Sequence, residues 1–281
     1  MVESALTVGI IVKYRISGEQ EGAILVADRM ISWGAIGVEY NVSKLEKVRD
    51  DSLKIAGVAA RSEALIEEFF GKLRAKCENA KCFDDVKQIV SDCVSGIIVD
   101  KITDAVLKPM GMDAARFLDL MERNPTHQFV GEAMTIRQNL SNSLHVVLAV
   151  REGDSLKLIL QQPTFSYTPY SSPEISELSK LGFATVGTGS DSAWWTLVHM
   201  GYDPADDIKI NLTKALLAKI QAEESHGVGK NTDIMILDNK GIRGIPNQQS
   251  LVDTARRVYD KLIKSQKEII RKAYQQVSIS D

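Results

Sequence analysis

Few residues in this chain stand at spacings that could do chemistry on their own. Cys77, Cys82 and Cys93 are odd in number, and the first two flank Glu78-Asn79-Ala80-Lys81 with no histidine beside them. A zinc site needs more ligands at tighter spacing, so free thiols, buried or half-buried on helices, are expected instead. His127, His145, His199 and His226 are spread out with no cysteine or carboxylate cluster at ligand spacing, which points to packing roles and no metal. Gly187-Thr188-Gly189 has the small residues of a phosphate loop but lacks the Gly-Lys-Ser/Thr that would complete one. No cofactor is expected. Any site must come from residues that the fold brings together.

The composition narrows the classes. With 281 residues and an apolar fraction of 44%, the chain can bury a sizeable core. Lysine plus arginine, 34, nearly balances aspartate plus glutamate, 37, so neither a nucleic-acid surface nor an acidic tail is indicated. The longest apolar runs, such as residues 22–27 and 145–150, fall far short of the roughly 20 residues of a membrane-spanning helix. Residues 1–7 lack a basic segment leading into a signal-peptide core. The expectation is a cytoplasmic protein without a membrane partner.

Periodicity then supplies the elements. Residues 7–14 and 22–28 read as two strands joined by a polar turn, and shorter strands are expected at 42–48 and 53–59. From Ser62, placed as an N-cap, Leu65, Ile66, Phe69, Phe70 and Leu73 recur at helical spacing. Further helices are expected over 83–107 and 113–123, then a hairpin at 145–151 and 156–161 around Glu152-Gly153-Asp154. Residues 162–174, rich in proline and turn formers, read as a long exposed loop. A strand at 183–186, helices at 190–200 and 211–225, a strand at 233–238 and a charged helix at 250–276 complete the order. Strand pairs, helices, strand pairs and helices again describe an α+β chain with two sheets covered on their outer faces by helices.

Within that order several motifs stand together. Thr7-Val8-Gly9-Ile10-Ile11-Val12-Lys13 resembles the opening strand of proteasome β-subunits, and Gly22-Ala23-Ile24-Leu25-Val26-Ala27-Asp28-Arg29 resembles the strand that follows it, with the arginine one place early. Sixteen residues after Asp28, Ser43-Lys44-Leu45-Glu46-Lys47-Val48 is similar to the family strand that carries the catalytic lysine. Ala56-Gly57-Val58-Ala59-Ala60, Gly187-Thr188-Gly189-Ser190 and Gly201-Tyr202-Asp203-Pro204 match later motifs in order. The stretch 225–233, with Val228-Gly229, is nearer to the bacterial relative called Anbu. The chain thus resembles the proteasome-like N-terminal-nucleophile hydrolases over most of residues 7–238.

With the helical insertion around 113–123 and the C-terminal helix from Ser250 as departures from the family pattern, that resemblance implies a four-layer αββα sandwich. It divides the chain into a short leader at 1–4, a hydrolase domain at 5–245 and a C-terminal helical extension at 246–281. It also implies self-assembly into a ring or stack acting on peptides or unfolded proteins.

In the family, a threonine freed at the N-terminus attacks an amide carbonyl while its own α-amine, with a pKa near 8, takes the proton. Counting back from the matched strand, the nucleophile position falls on Ala5, which has no hydroxyl. The resemblance assigns Lys44 to charge stabilisation beside the nucleophile, Asp28 to holding Lys44, Thr188 to the terminal amine, and Ala60 and Gly189 to the oxyanion and substrate cleft. Ser225 and Val228 stand where proteasome β-subunits carry an assisting aspartate and serine. Neither Ser4 nor Thr7 is expected to replace the nucleophile: Ser4 points to the other face, and Thr7 shares the face of position 5 but lies about 7 Å further along. The expectation is therefore a threonine-type peptidase subunit that is inactive with Ala5 in place. The alternatives are a noncatalytic ring or scaffold subunit, and a transpeptidase on the same fold.

Overall fold

The computed structural model describes residues 7–33, 36–39, 43–161, 173–225 and 227–274. The chain begins in an antiparallel pair, β1 (Val8–Ser17) and β2 (Gln20–Asp28), in the register Gly9↔Ala27 to Lys13↔Ala23. A small hairpin, β3 (Met30–Trp33) with β4 (Ile36–Glu39), occupies the glycine-punctuated stretch for which no strands were expected. β5 (Leu45–Asp50) and β6 (Leu53–Arg61) then open a second sheet.

Four helical segments follow: α1 (Glu63–Cys77), α2 (Phe83–Ile102) running into a π-helical turn at Thr103–Leu107, α3 (Ala114–Arg123) and α4 (Gln128–Asn142). Next come β7 (Leu144–Glu152), β8 (Ser155–Gln161), β9 (Ile175–Glu177) and β10 (Phe183–Gly187). The described chain closes with α5 (Ser190–His199), α6 (Ile208–Ala222), β11 (Thr232–Asp238), β12 (Gly241–Gly244) and α7 (Gln248–Tyr274).

The strands form two five-stranded antiparallel sheets, ordered β10-β1-β2-β11-β12 and β5-β6-β7-β8-β9. Both faces of each sheet are buried, so the alternation along a strand divides two apolar layers rather than core from solvent. In β1, Ile11 faces Val58, Val147 and Leu158 of the other sheet, while Ile10 and Val12 turn outward to Ala193, Leu197 and Leu216. Small residues let the sheets close: a Cβ on Gly9 would sit 2.5 Å from Val58 Cγ2. The outer face of the second sheet is covered by Phe69, Phe70 and Leu73 of α1 and Val90 and Ile97 of α2. Truncating either fully buried phenylalanine to alanine would cost about 3–5 kcal/mol. On the opposite side α5, α6 and the first half of α7, through Val252 and Ala255, cover β1, β2 and β11. The order helix, sheet, sheet, helix is the expected four-layer sandwich.

Some local expectations differ from the structure. Ser62 sits at the N-cap position of α1 with extended dihedrals, φ −73° and ψ 118°, but its side chain makes no capping hydrogen bond. Aspartates cap other helices: Asp113 accepts Arg116 N–H at 2.8 Å, and Asp207 accepts Lys209 and Ile210 N–H at 2.8 and 3.0 Å. Helix α4 was not anticipated because Gly131, Thr135 and Asn139 interrupt its pattern, yet Val130 and Ala133 reach the core. The expected loop at 162–174 lies outside the described residues except for 173–174. Among the described residues, no helix is long and apolar enough to cross a membrane.

Candidate active site

The last residue of β2 is Asp28, fully buried where the strand ends against β1 and β11. An isolated buried carboxylate is costly, and this one is heavily hydrogen-bonded. Its Oδ1 accepts the Thr7 hydroxyl, Val8 N–H at 3.0 Å and Lys44 Nζ at 3.1 Å, while Oδ2 accepts Gly229 N–H at 2.9 Å. Lys44 reaches inward from the residue just before β5, and its Nζ also donates to Thr7 Oγ1 at 2.5 Å. Burial pushes the Lys44 ammonium below its ordinary pKa, opposed by the attraction of Asp28 and, more weakly, Glu63.

The site therefore converges on a threonine hydroxyl. Thr7 Oγ1 donates to Asp28 and accepts from Lys44, and the residue is only 1% exposed. Its carbonyl is held by Gly189 N–H at 3.1 Å. Gly187, with φ +96°, makes the turn that brings Gly189 there, and a Cβ on it would lie 2.2 Å from Thr7 O. Gly189 thus spends its N–H on Thr7, and Thr188 between these glycines is exposed.

Ala5 and Ser4 lie outside the described residues. What spacing along one strand could not give is how far Lys44 and Asp28 reach across to the Thr7 side chain. Ala60 is buried on the inter-sheet face of β6, two residues past Val58, whose pairing with Leu45 is the last of the β5–β6 ladder. Across β7 it stands opposite His145. Burial, reinforced by the Arg61 charge, lowers the His145 pKa to about 4, and its Nε2 has no hydrogen-bond partner among the described residues. Ser225 lies 3.3 Å from Ser192 Oγ, and Val228 packs in the core beneath Gly189.

Behind Asp28 is a second charged group that sequence reading missed. Lys219 of α6 is fully buried, and its Nζ donates to Glu223 Oε1 at 2.5 Å, Gly229 O at 2.8 Å and Lys230 O at 2.9 Å. Arg256 of α7 grips Glu223 with both arms, at 2.5 and 2.7 Å, and Lys230 O at 3.0 Å. The available signal was the i,i+4 pair Lys219–Glu223 set into the otherwise apolar run Ala215-Leu216-Leu217-Ala218. Among the described residues, no group of three or more histidines, cysteines or carboxylates is placed to hold a metal ion.

No family model and no curated protein matches the chain. Solved structures do. An Anbu (Gly-1) mutant from Hyphomicrobium sp. strain MC1 superimposes with a TM-score of 0.61 at 11% identity, covering 98% of this chain and 99% of that one. Anbu, described as an ancestral beta-subunit, from Yersinia bercovieri gives a TM-score of 0.62 at 12% identity over the same shares. The chain shares the fold of these Anbu proteins across nearly its whole length, in keeping with the four-layer sandwich of two antiparallel sheets between helices.

Proposed function

We propose that the chain is a proteasome-like, threonine-type peptidase subunit in which Lys44 and Asp28 act on the hydroxyl of Thr7. The observation that supports this is the buried Asp28–Lys44 pair closing on Thr7 Oγ1. Position 5 offers an alanine and no hydroxyl, whereas Thr7 offers a hydroxyl already in contact with the ammonium that would stabilise an alkoxide.

In this reading Thr7 Oγ1 first attacks the Leu6 carbonyl, and its proton passes to the Thr7 nitrogen as the amide bond breaks. Water hydrolyses the resulting ester, which releases the preceding segment as a carboxylate and frees the Thr7 α-amine. That amine takes the hydroxyl proton as Oγ1 attacks a substrate amide carbonyl, and the proton passes to the departing amine. Water then hydrolyses the ester on Thr7. Ala60 N–H is the oxyanion donor, Thr188 lies beside the new terminus, and Gly189 fixes the Thr7 carbonyl so that the side chain keeps its aim. The substrates are peptides or unfolded proteins, and the chain assembles with copies of itself. Trp195 on α5 and Leu262 on α7, 58% and 45% exposed, suit such contacts.

A second reading, a noncatalytic subunit, is favoured by a different observation: the uncleaved Thr7 is 1% exposed and closed in by Asp28, Lys44 and Gly189. Turnover of a fluorogenic peptide panel separates the two. Activity that survives Ala5→Ser but is lost in Thr7→Ala and Lys44→Ala supports Thr7. Activity gained only in Ala5→Thr returns the nucleophile to position 5. No activity in any of these proteins favours the noncatalytic subunit.

A further inference from the structure

The buried Lys219 has no role in the proposed chemistry, yet a fully buried ammonium is expensive unless every donor is used. Its three donors meet three acceptors, two of which are the successive carbonyls of Gly229 and Lys230. Gly229 is therefore held from both of its peptide groups: its carbonyl by Lys219, and its N–H on Asp28 Oδ2 at 2.9 Å. Glu223 neutralises Lys219, and Arg256 fixes Glu223 in a two-armed grip while binding the Lys230 carbonyl. Residues 229 and 230 are thus tied to α6 and α7 at one end and to the Asp28–Lys44–Thr7 group at the other.

We propose that Arg256, Glu223 and Lys219 are positioning residues, which make α7 a brace that holds Gly229 N–H on Asp28 and so sets the charge and aim of Lys44. With the brace intact, Asp28 Oδ2 is occupied by Gly229, and Oδ1 is directed at Thr7 and Lys44. Releasing Gly229 removes a donor from the carboxylate. The carboxylate, with one donor fewer, then holds the Lys44 proton more strongly. The kinetic consequence rests on the peptidase reading; the structural coupling does not.

The test follows Lys44 and Gly229 directly, without turnover. Lysines are labelled by reductive 13C-methylation, the Lys44 signal is assigned with Lys44→Arg, and its titration is read by NMR. Asp28 and Glu63, whose charges act on Lys44, are unaltered in these variants. Arg256→Met is expected to raise the Lys44 midpoint by about half a pH unit or more, while Arg271→Met, which removes an exposed charge from the same helix, leaves it in place. Arg256→Lys keeps the charge but not the fork, and it covers the case in which Arg256→Met does not fold. In Arg256→Lys, amide exchange at Gly229 is expected to quicken roughly tenfold or more relative to Ile234 in β11. An unchanged Lys44 midpoint in Arg256→Met, or Gly229 exchange in Arg256→Lys that follows the global stability alone, would overturn the proposal and leave α7 as packing only.

Discussion

Lys44 Nζ lies 2.5 Å from Thr7 Oγ1, across the gap between the two sheets. Lys44 precedes the first strand of one sheet, and Thr7 precedes the first strand of the other, so the sandwich itself sets their meeting. Removing the ammonium should remove charge stabilisation from the hydroxyl and also leave buried Asp28 without its counter-charge. Lys44→Ala is expected to lower peptide turnover by about 10²-fold or more, and to lower the melting temperature by several degrees or more because buried Asp28 loses its counter-charge. Steady-state kinetics beside thermal unfolding checks both.

Asp28→Asn is expected to be more damaging to stability. The substitution leaves Val8 N–H and Gly229 N–H facing an amide that can accept only at its oxygen, with its NH₂ aimed at other donors. A loss of about 2–4 kcal/mol in urea unfolding is expected. A loss below 1 kcal/mol would mean that the site tolerates a neutral residue there.

Gly187→Ala tests how Thr7 is held. The residue has φ +96°, and a Cβ would stand 2.2 Å from Thr7 O. Both effects oppose alanine, and a destabilisation of about 2 kcal/mol or more is expected. The same shift should weaken the Gly189 N–H contact with Thr7 and lower turnover.

Acid should destabilise the protein through His145. Its folded pKa is about 4 against an ordinary 6.5, so between those values the unfolded chain binds a proton that the folded chain refuses. Stability is present in full above pH 6.5 and falls as the pH drops towards 4. The loss is on the order of 2 kcal/mol after allowing for partial exposure. His145→Gln should flatten that limb of the stability profile, as read by urea unfolding at pH 7, 6, 5 and 4.

Thiol reagents report on the helical layer. Cys77 and Cys93 are buried, and burial pushes the Cys77 thiol up to about 12. In native protein only Cys82 should react at neutral pH, and all three should react in denaturant.

Much of the architecture was legible because its signals are local and repeated. The β-branched and apolar runs of β1 and β2, the Glu152-Gly153-Asp154 turn and the Leu65–Phe69–Leu73 spacing each name an element without tertiary context. Asp28 and Lys44 were legible through motif order, and the structure brings them within 3.1 Å. Contacts between distant segments were not legible. Nothing local marks Gly229 N–H as the partner of an aspartate about two hundred residues earlier, or Arg256 as the partner of Glu223. Helix α4 was missed because burial of a few residues against α2, not its own pattern, stabilises it.

The most direct test of the Thr7 assignment is covalent. The purified chain is treated with a peptide electrophile that bonds to both a hydroxyl and a free α-amine, and is then digested and sequenced by tandem mass spectrometry. A chain cut between Leu6 and Thr7 with the adduct on Thr7 is expected, and no adduct in Thr7→Ala. An uncut chain without adduct, or labelling only after Ala5→Thr with the adduct on residue 5, would contradict the Thr7 assignment.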